Sequence, residues 1–204
     1  MYRLYLPKSI SSLGGITINR SIEIFGQTVE VYIRGNSKQT VVIQTGMSCS
    51  FYDWLPIIEE LSQHFTVVSC HRPGYGKSEL GNTPRTARQV TKELHMLLNK
   101  LHIHKPIILI GHSYGGLCAQ HFAMLHEDRL QALLLVDSTS MNLQRLDELH
   151  LPVSDQTDSD DMWQELIREQ LNLSINSQYI LAEYASHGIE NDRPDAIIEA
   201  IHLL

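Results

Sequence analysis

The chain has 204 residues, 43% of them apolar and 19% charged, with a formal charge of −7. That size suits one α/β domain, which routinely runs to roughly 200–250 residues, and the apolar share is too high for a disordered chain. Net negative charge without a basic stripe excludes nucleic acid and anionic membranes as main partners.

The three cysteines, Cys49, Cys70 and Cys118, are odd in number and show no Cys-x-x-Cys spacing, so neither a disulfide framework nor a zinc site is expected. Residues 1–15 lack a signal-peptide apolar core, and no run approaches the roughly 18 apolar residues of a membrane span. A cytoplasmic protein in a reducing compartment is the expectation.

Residues 1–20 carry little pattern and read as an N-terminal extension. Ile22 and Ile24, then Val29, Val31 and Ile33, alternate with polar residues around Gly26-Gln27, predicting a strand hairpin. Thr40 to Gln44 is nearly continuously apolar, as a doubly covered strand should be, and ends at Thr45-Gly46-Met47. Ser50 to Asp53 has capping-box character ahead of a helix through Trp54, Leu55, Ile58 and Leu61. A strand from Phe65 to Cys70 then feeds the loop His71-Arg72-Pro73-Gly74-Tyr75-Gly76-Lys77-Ser78.

Thr86 to Gln89 reads as a second capping box, opening a helix with the stripe Val90, Leu94, Leu97, Leu98 and Leu101. Next come the apolar run Ile107 to Ile110, the turn Gly111-His112-Ser113-Tyr114-Gly115, a helix to about His126, and a strand Ala132 to Val136 ending at Asp137. Strands alternating with helices imply a parallel sheet covered on both faces, with chemistry at the carboxyl ends of the strands. Ser154 to Asp161 is acidic and reads as a solvated linker rather than a metal site. Three amphipathic helices are expected after it, around Trp163 to Leu171, Ile180 to Ala185, and from Pro194 through Ile201.

Gly-x-Ser-x-Gly between a strand and a helix is the nucleophile elbow, which thrusts the serine oxygen out on a strained turn. With Gly46-Met47 and the Gly74-Tyr75-Gly76 loop, this stretch makes residues 22–137 resemble the α/β-hydrolase fold superfamily. His71 stands where the family usually has Asp, and Thr45 where His usually precedes the oxyanion glycine. The resemblance implies an α/β-hydrolase-like fold, with about six strands in a mostly parallel sheet and helices on both faces. It implies a core over 21–140 and a partial helical cap or lid over 141–204.

The resemblance also implies hydrolysis of a carboxylic ester or related acyl bond, without a cofactor or metal. Ser113 would be the nucleophile, and the backbone N–H groups of Met47 and Tyr114 the oxyanion donors. Gly115 and Gly116 would let the elbow helix pack close to the sheet. A serine at the elbow separates the chain from epoxide hydrolases, which carry Asp there.

The family places its acid and histidine after a seventh and an eighth strand, and neither strand is legible here. Asp137 is the candidate acid, against a plain loop-ordering role. His71, at a strand end, and His187, ahead of Gly188, are the histidines weighed as base. His112 reads as an elbow-packing residue. Three readings therefore stand open: a serine hydrolase represented by an incomplete chain, a catalytically inactive binding module, and an enzyme with an unusual triad. The expected partner is a small-molecule acyl or ester substrate, with a homo-oligomer covering the edge of the sixth strand.

Overall fold

The computed structural model describes residues 17–81, 84–141 and 166–204. Residues 1–16 of the expected N-terminal extension, the acidic stretch Ser154 to Asp161 and the start of the helix at Trp163 lie outside the described residues, and residues 17–20 of that extension are strand.

β1 (Thr17–Ile24) and β2 (Gln27–Arg34) form the expected hairpin, pairing antiparallel with Ile24 opposite Gln27. Phe25 and Gly26 make the two-residue turn, both at positive φ (51° and 73°), as a turn matching the strand twist requires. β3 (Thr40–Gln44), β4 (Thr66–Cys70), β5 (Ile107–His112) and β6 (Leu130–Val136) complete a six-stranded sheet of order β1-β2-β4-β3-β5-β6. β2 meets β4 antiparallel, and β4, β3, β5 and β6 run parallel.

Period-two alternation splits the core between the two faces of this sheet. Val41, Ile43, Val67, Ile108 and Ile110 face one side with Trp54, Ile57, Ile58 and Leu61. Val42, Val68, Ile107 and Leu109 face the other with Leu94, Leu97, Leu98, Ala119 and Phe122. The first cover is a 3₁₀ turn (Phe51–Trp54) running into α1 (Leu55–Leu61), and the second is α2 (Ala87–Lys100) with α3 (Tyr114–Leu125). The Ser50 capping box is present in both halves. The box expected at Thr86 is only half made: its hydroxyl accepts the Gln89 N–H, but the Gln89 amide turns to Glu93 instead.

The tail departs most from expectation. After a 3₁₀ turn (Gln170–Leu173), residues 174–187 contain no helix, although Ile180, Leu181, Tyr184 and Ala185 have helical spacing. Tyr184 lies at φ 61°, and Arg193 donates to the Glu183 carbonyl at 3.0 Å, so local loop bonds replace the helical ladder. The chain regains order at α4 (Ile189–Asp192) and α5 (Pro194–His202), the latter opened by Pro194 as expected. Ile197 and Ile201 are 3% and 1% exposed, in one apolar cluster with Ile57, Ile58 and Leu61. α5 is therefore packed into the core of the sheet domain.

Candidate active site

Ser113 links β5 to α3 at φ 52°, ψ −123°, a conformation costing about 1–3 kcal/mol for a residue with a side chain. The surrounding structure holds it there. Its N–H donates to the Val136 carbonyl at 3.2 Å, and its own carbonyl accepts from Gly116, Leu117 and Thr139. Close packing of the elbow needs its glycines: a Cβ on Gly115 would lie 2.1 Å from the Gln44 oxygen, and one on Gly111 2.6 Å from the Gly116 Cα.

Two distant residues converge on this serine. His187 Nε2 stands 3.0 Å from Ser113 Oγ, and His187 Nδ1 is hydrogen-bonded to Asp137 Oδ2. With Nδ1–H donating to the carboxylate, Nε2 keeps a bare lone pair toward the hydroxyl. Asp137 arrives directly from the carboxyl end of β6, itself at φ 37°. His187 arrives from a turn rather than a strand. Ser186, its neighbour, donates both N–H (2.7 Å) and hydroxyl (2.6 Å) to Asp192 of α4, whose carboxyl these bonds hold below the usual range. His112 Nε2 meets the His187 carbonyl oxygen at 2.8 Å from beneath. The His187 side chain is 55% exposed and that of Asp137 16%.

His71, the other histidine considered as base, is engaged elsewhere. Its Nδ1 is 2.7 Å from Glu30 Oε2, its Nε2 is 2.7 Å from Ser50 Oγ, and the residue is buried. Burial works to raise the Glu30 carboxyl. Hydrogen bonds from His71, the Lys77 N–H and Asn19 outweigh it and hold Glu30 below its ordinary value. The replacement of the family's Asp by His71 is thus matched by a buried acid on β2.

Met47, expected to offer its N–H, sits on the loop after β3 and is 62% exposed. Arg72 clamps that loop from below, donating to the carbonyls of Thr45 (2.6 Å) and Gly46 (2.5 Å). Both carbonyl oxygens are thereby committed to the guanidinium. The Tyr75 hydroxyl accepts the Ser48 N–H at 3.2 Å. Tyr114 opens α3, where the first N–H groups lack acceptors in their own helix. Its hydroxyl donates to the Arg85 carbonyl, and burial pushes it up to about 12.

Burial disfavours the thiolate form at all three cysteines. Burial raises Cys70 and Cys118 to about 11 each, and burial and Glu190 raise Cys49. Of the two candidate histidines, His187 is the one that reaches Ser113. The signal available was His187-Gly188 just ahead of a proline-opened amphipathic helix, which is a turn tethered to a docked element.

A serine on a strand-turn-helix elbow, at the carboxyl edge of a mostly parallel sheet with a histidine and an acid in line, marks a hydrolase scaffold of the α/β class. The chain belongs to the alpha/beta hydrolase fold family, whose profile matches residues 39–188. YqjL, an uncharacterised protein of Bacillus subtilis, is 25% identical over 213 residues, covering 83% of this chain and 84% of YqjL. A soluble epoxide hydrolase of a Corynebacterium species is 28% identical over 123 residues, covering 60% of this chain and 43% of that enzyme. The chain thus spans most of YqjL and less than half of the epoxide hydrolase. Among solved structures, a predicted CIB-like hydrolase from Thermoplasma acidophilum shares the fold with a TM-score of 0.76 at 14% identity, covering 92% of this chain and 97% of that one. No helix among the described residues is long and apolar enough to cross a membrane.

Proposed function

We propose that the protein hydrolyses a small carboxylic ester or related acyl compound through Ser113, with His187 as general base and Asp137 as its orienting acid. The observation that carries this reading is the unbroken line from Ser113 Oγ through both nitrogens of His187 to Asp137. A serine hydroxyl is a weak nucleophile without a base in hydrogen-bond reach, and an imidazole held by a carboxylate supplies one.

In the first step Ser113 Oγ attacks the carbonyl carbon and its proton passes to His187 Nε2. The oxyanion is received by the N–H groups of Met47 and Tyr114. Collapse expels the alcohol, which takes the proton from His187. A water activated by the same nitrogen then releases the acid and restores the serine. The site suits an acyl carbon better than an epoxide, because its elbow carries a serine hydroxyl rather than a carboxylate nucleophile. The neighbouring epoxide hydrolase therefore bears on the scaffold, not on the substrate.

Turnover of p-nitrophenyl esters, with Ser113→Ala and His187→Ala as controls, tests the proposal. Activity and phosphonate labelling lost in Ser113→Ala support it. A well-folded chain that neither turns over esters nor labels at Ser113 is an inert binding module, and the proposal fails.

A further inference from the structure

A second cluster lies beneath the elbow, and nothing in the hydrolytic reading uses its side-chain donor atoms. Cys49, His112 and Glu190 each offer one donor atom, and the three lie within 4.8 Å of one another. They come from the loop after β3, the end of β5 and the start of α4. His112 and Glu190 are 2% and 4% exposed.

Two of the donors are orphaned. His112 Nδ1 and Glu190 Oε2 are buried and have no hydrogen-bond partner; Glu190 Oε2 lies 3.8 Å from His112 Nε2, an ion pair only when the imidazole is protonated. An unmade bond at a buried polar atom costs about 1–3 kcal/mol, so two of them within one cluster call for a physical cause. The space they share is kept open by Gly46: a Cβ there would lie 3.0 Å from His112 Nδ1 and 3.1 Å from Cys49 Sγ. His112 is also set in the way a metal-binding imidazole is. One nitrogen, Nε2, is held by a backbone carbonyl, that of His187, which leaves Nδ1 as the free donor.

We propose that Cys49, His112 and Glu190 form a binding site for a borderline-soft divalent cation of the zinc class. The donor set is one sulfur, one nitrogen and one oxygen, which excludes magnesium and calcium and suits Zn²⁺. A thiolate and a carboxylate neutralise the ion's two charges, so the filled site carries no net charge into the core. On binding, the Cys49 S–H bond breaks, sulfur bonds to the metal, and the proton leaves to solvent. A tetrahedral ion holds such donors about 3.3–3.8 Å apart, so a contraction of about 1 Å closes the site and leaves a fourth position open. The site stands whether or not Ser113 turns over esters. If it does, the ion acts on it through the His187 turn, because His112 supports the His187 backbone and Glu190 lies three residues further on.

The test is titration of the metal-free protein with cadmium, read by the ultraviolet thiolate-to-cadmium charge-transfer band, with zinc as competitor. One equivalent per chain is expected, displaced by zinc. Cys49→Ser should abolish the band, and Glu190→Gln should weaken affinity at least tenfold, each with its fold checked by circular dichroism. Cys70→Ser and Cys118→Ser should leave the band unchanged. If a water fills the space instead, no band forms. No band, a band that survives Cys49→Ser, or affinity unchanged in Glu190→Gln overturns the proposal.

Discussion

Replacing Asp137 by Asn tests the proposed acid without changing its shape. An amide in that position presents an N–H to His187 Nδ1, which favours the tautomer with the proton on Nε2. That nitrogen then points a hydrogen at Ser113 instead of a lone pair. The charge-assisted hydrogen bond alone is worth about 1.5–3 kcal/mol, or roughly 10- to 150-fold in rate at 1.36 kcal/mol per decade. In a sequestered triad the same exchange costs about 10⁴-fold. Here the His187 side chain is 55% exposed, so water partly replaces the lost partner. The expected loss is about 10²–10³-fold in kcat with KM little changed. Ester turnover across pH, with thermal melting as the folding control, reads it. A loss smaller than about fivefold, in a protein that melts as the parent does, would refute the role given to Asp137.

Asp192→Asn should lower kcat while leaving the melting temperature near the parent's, because Asp192 fixes the Ser186 backbone that presents His187; steady-state kinetics beside a melting curve separates the two effects. Gly115→Ala should destabilise the fold by about 3 kcal/mol, the upper end for overpacking, since its Cβ meets the backbone oxygens of Gln44 and Thr45 at 2.1 and 2.4 Å. For a chain of this size that is about 6–12 °C in Tm by calorimetry. Glu30 titrates below its unfolded value of 4.5, so its contribution is fully present above that pH and is lost as pH falls through the lower folded value. Glu30→Gln should therefore flatten the acid limb of the Tm-against-pH curve, and an unchanged limb would count against the Glu30–His71 pair.

Elements built from near neighbours were legible in the sequence. The β5 run, the Gly111 stop and Ser113 lie within seven residues, and the strain they imply is the strain observed. The hairpin at Phe25-Gly26 was equally local. What sequence could not weigh was contact across long separations. Ser113 and His187 are 74 positions apart, and His187 and Asp137 are 50. Helical spacing at Ile180 to Ala185 also misled, because spacing counts apolar positions and is blind to what covers them. Ile180 and Leu181 are 48% and 61% exposed, and no surface in the described structure buries them enough to hold a helix. Pro194 through Ile201 carried the same kind of pattern and did fold, since α1 was there to receive it.

That docking explains how a turn can hold His187 beside Ser113. The proposed base needs a fixed backbone at the carboxyl edge of the sheet, and any element anchored in the core can supply one. Here the anchor is α5, whose Ile197 and Ile201 pack with the α1 residues Ile57, Ile58 and Leu61. From that anchor α4 turns back toward the elbow. Glu190 and Asp192 face the site from α4, and the bonds of Asp192 to Ser186 carry the fixed geometry to His187. His112 closes the path from below by holding the His187 carbonyl. The position of His187 is thus set by helix packing on one face of the sheet, and that of Ser113 by a strained turn at the end of the sheet's own strand. The two meet because both are referred to β5, whose last residue, His112, touches the turn on one side and carries Ser113 on the other.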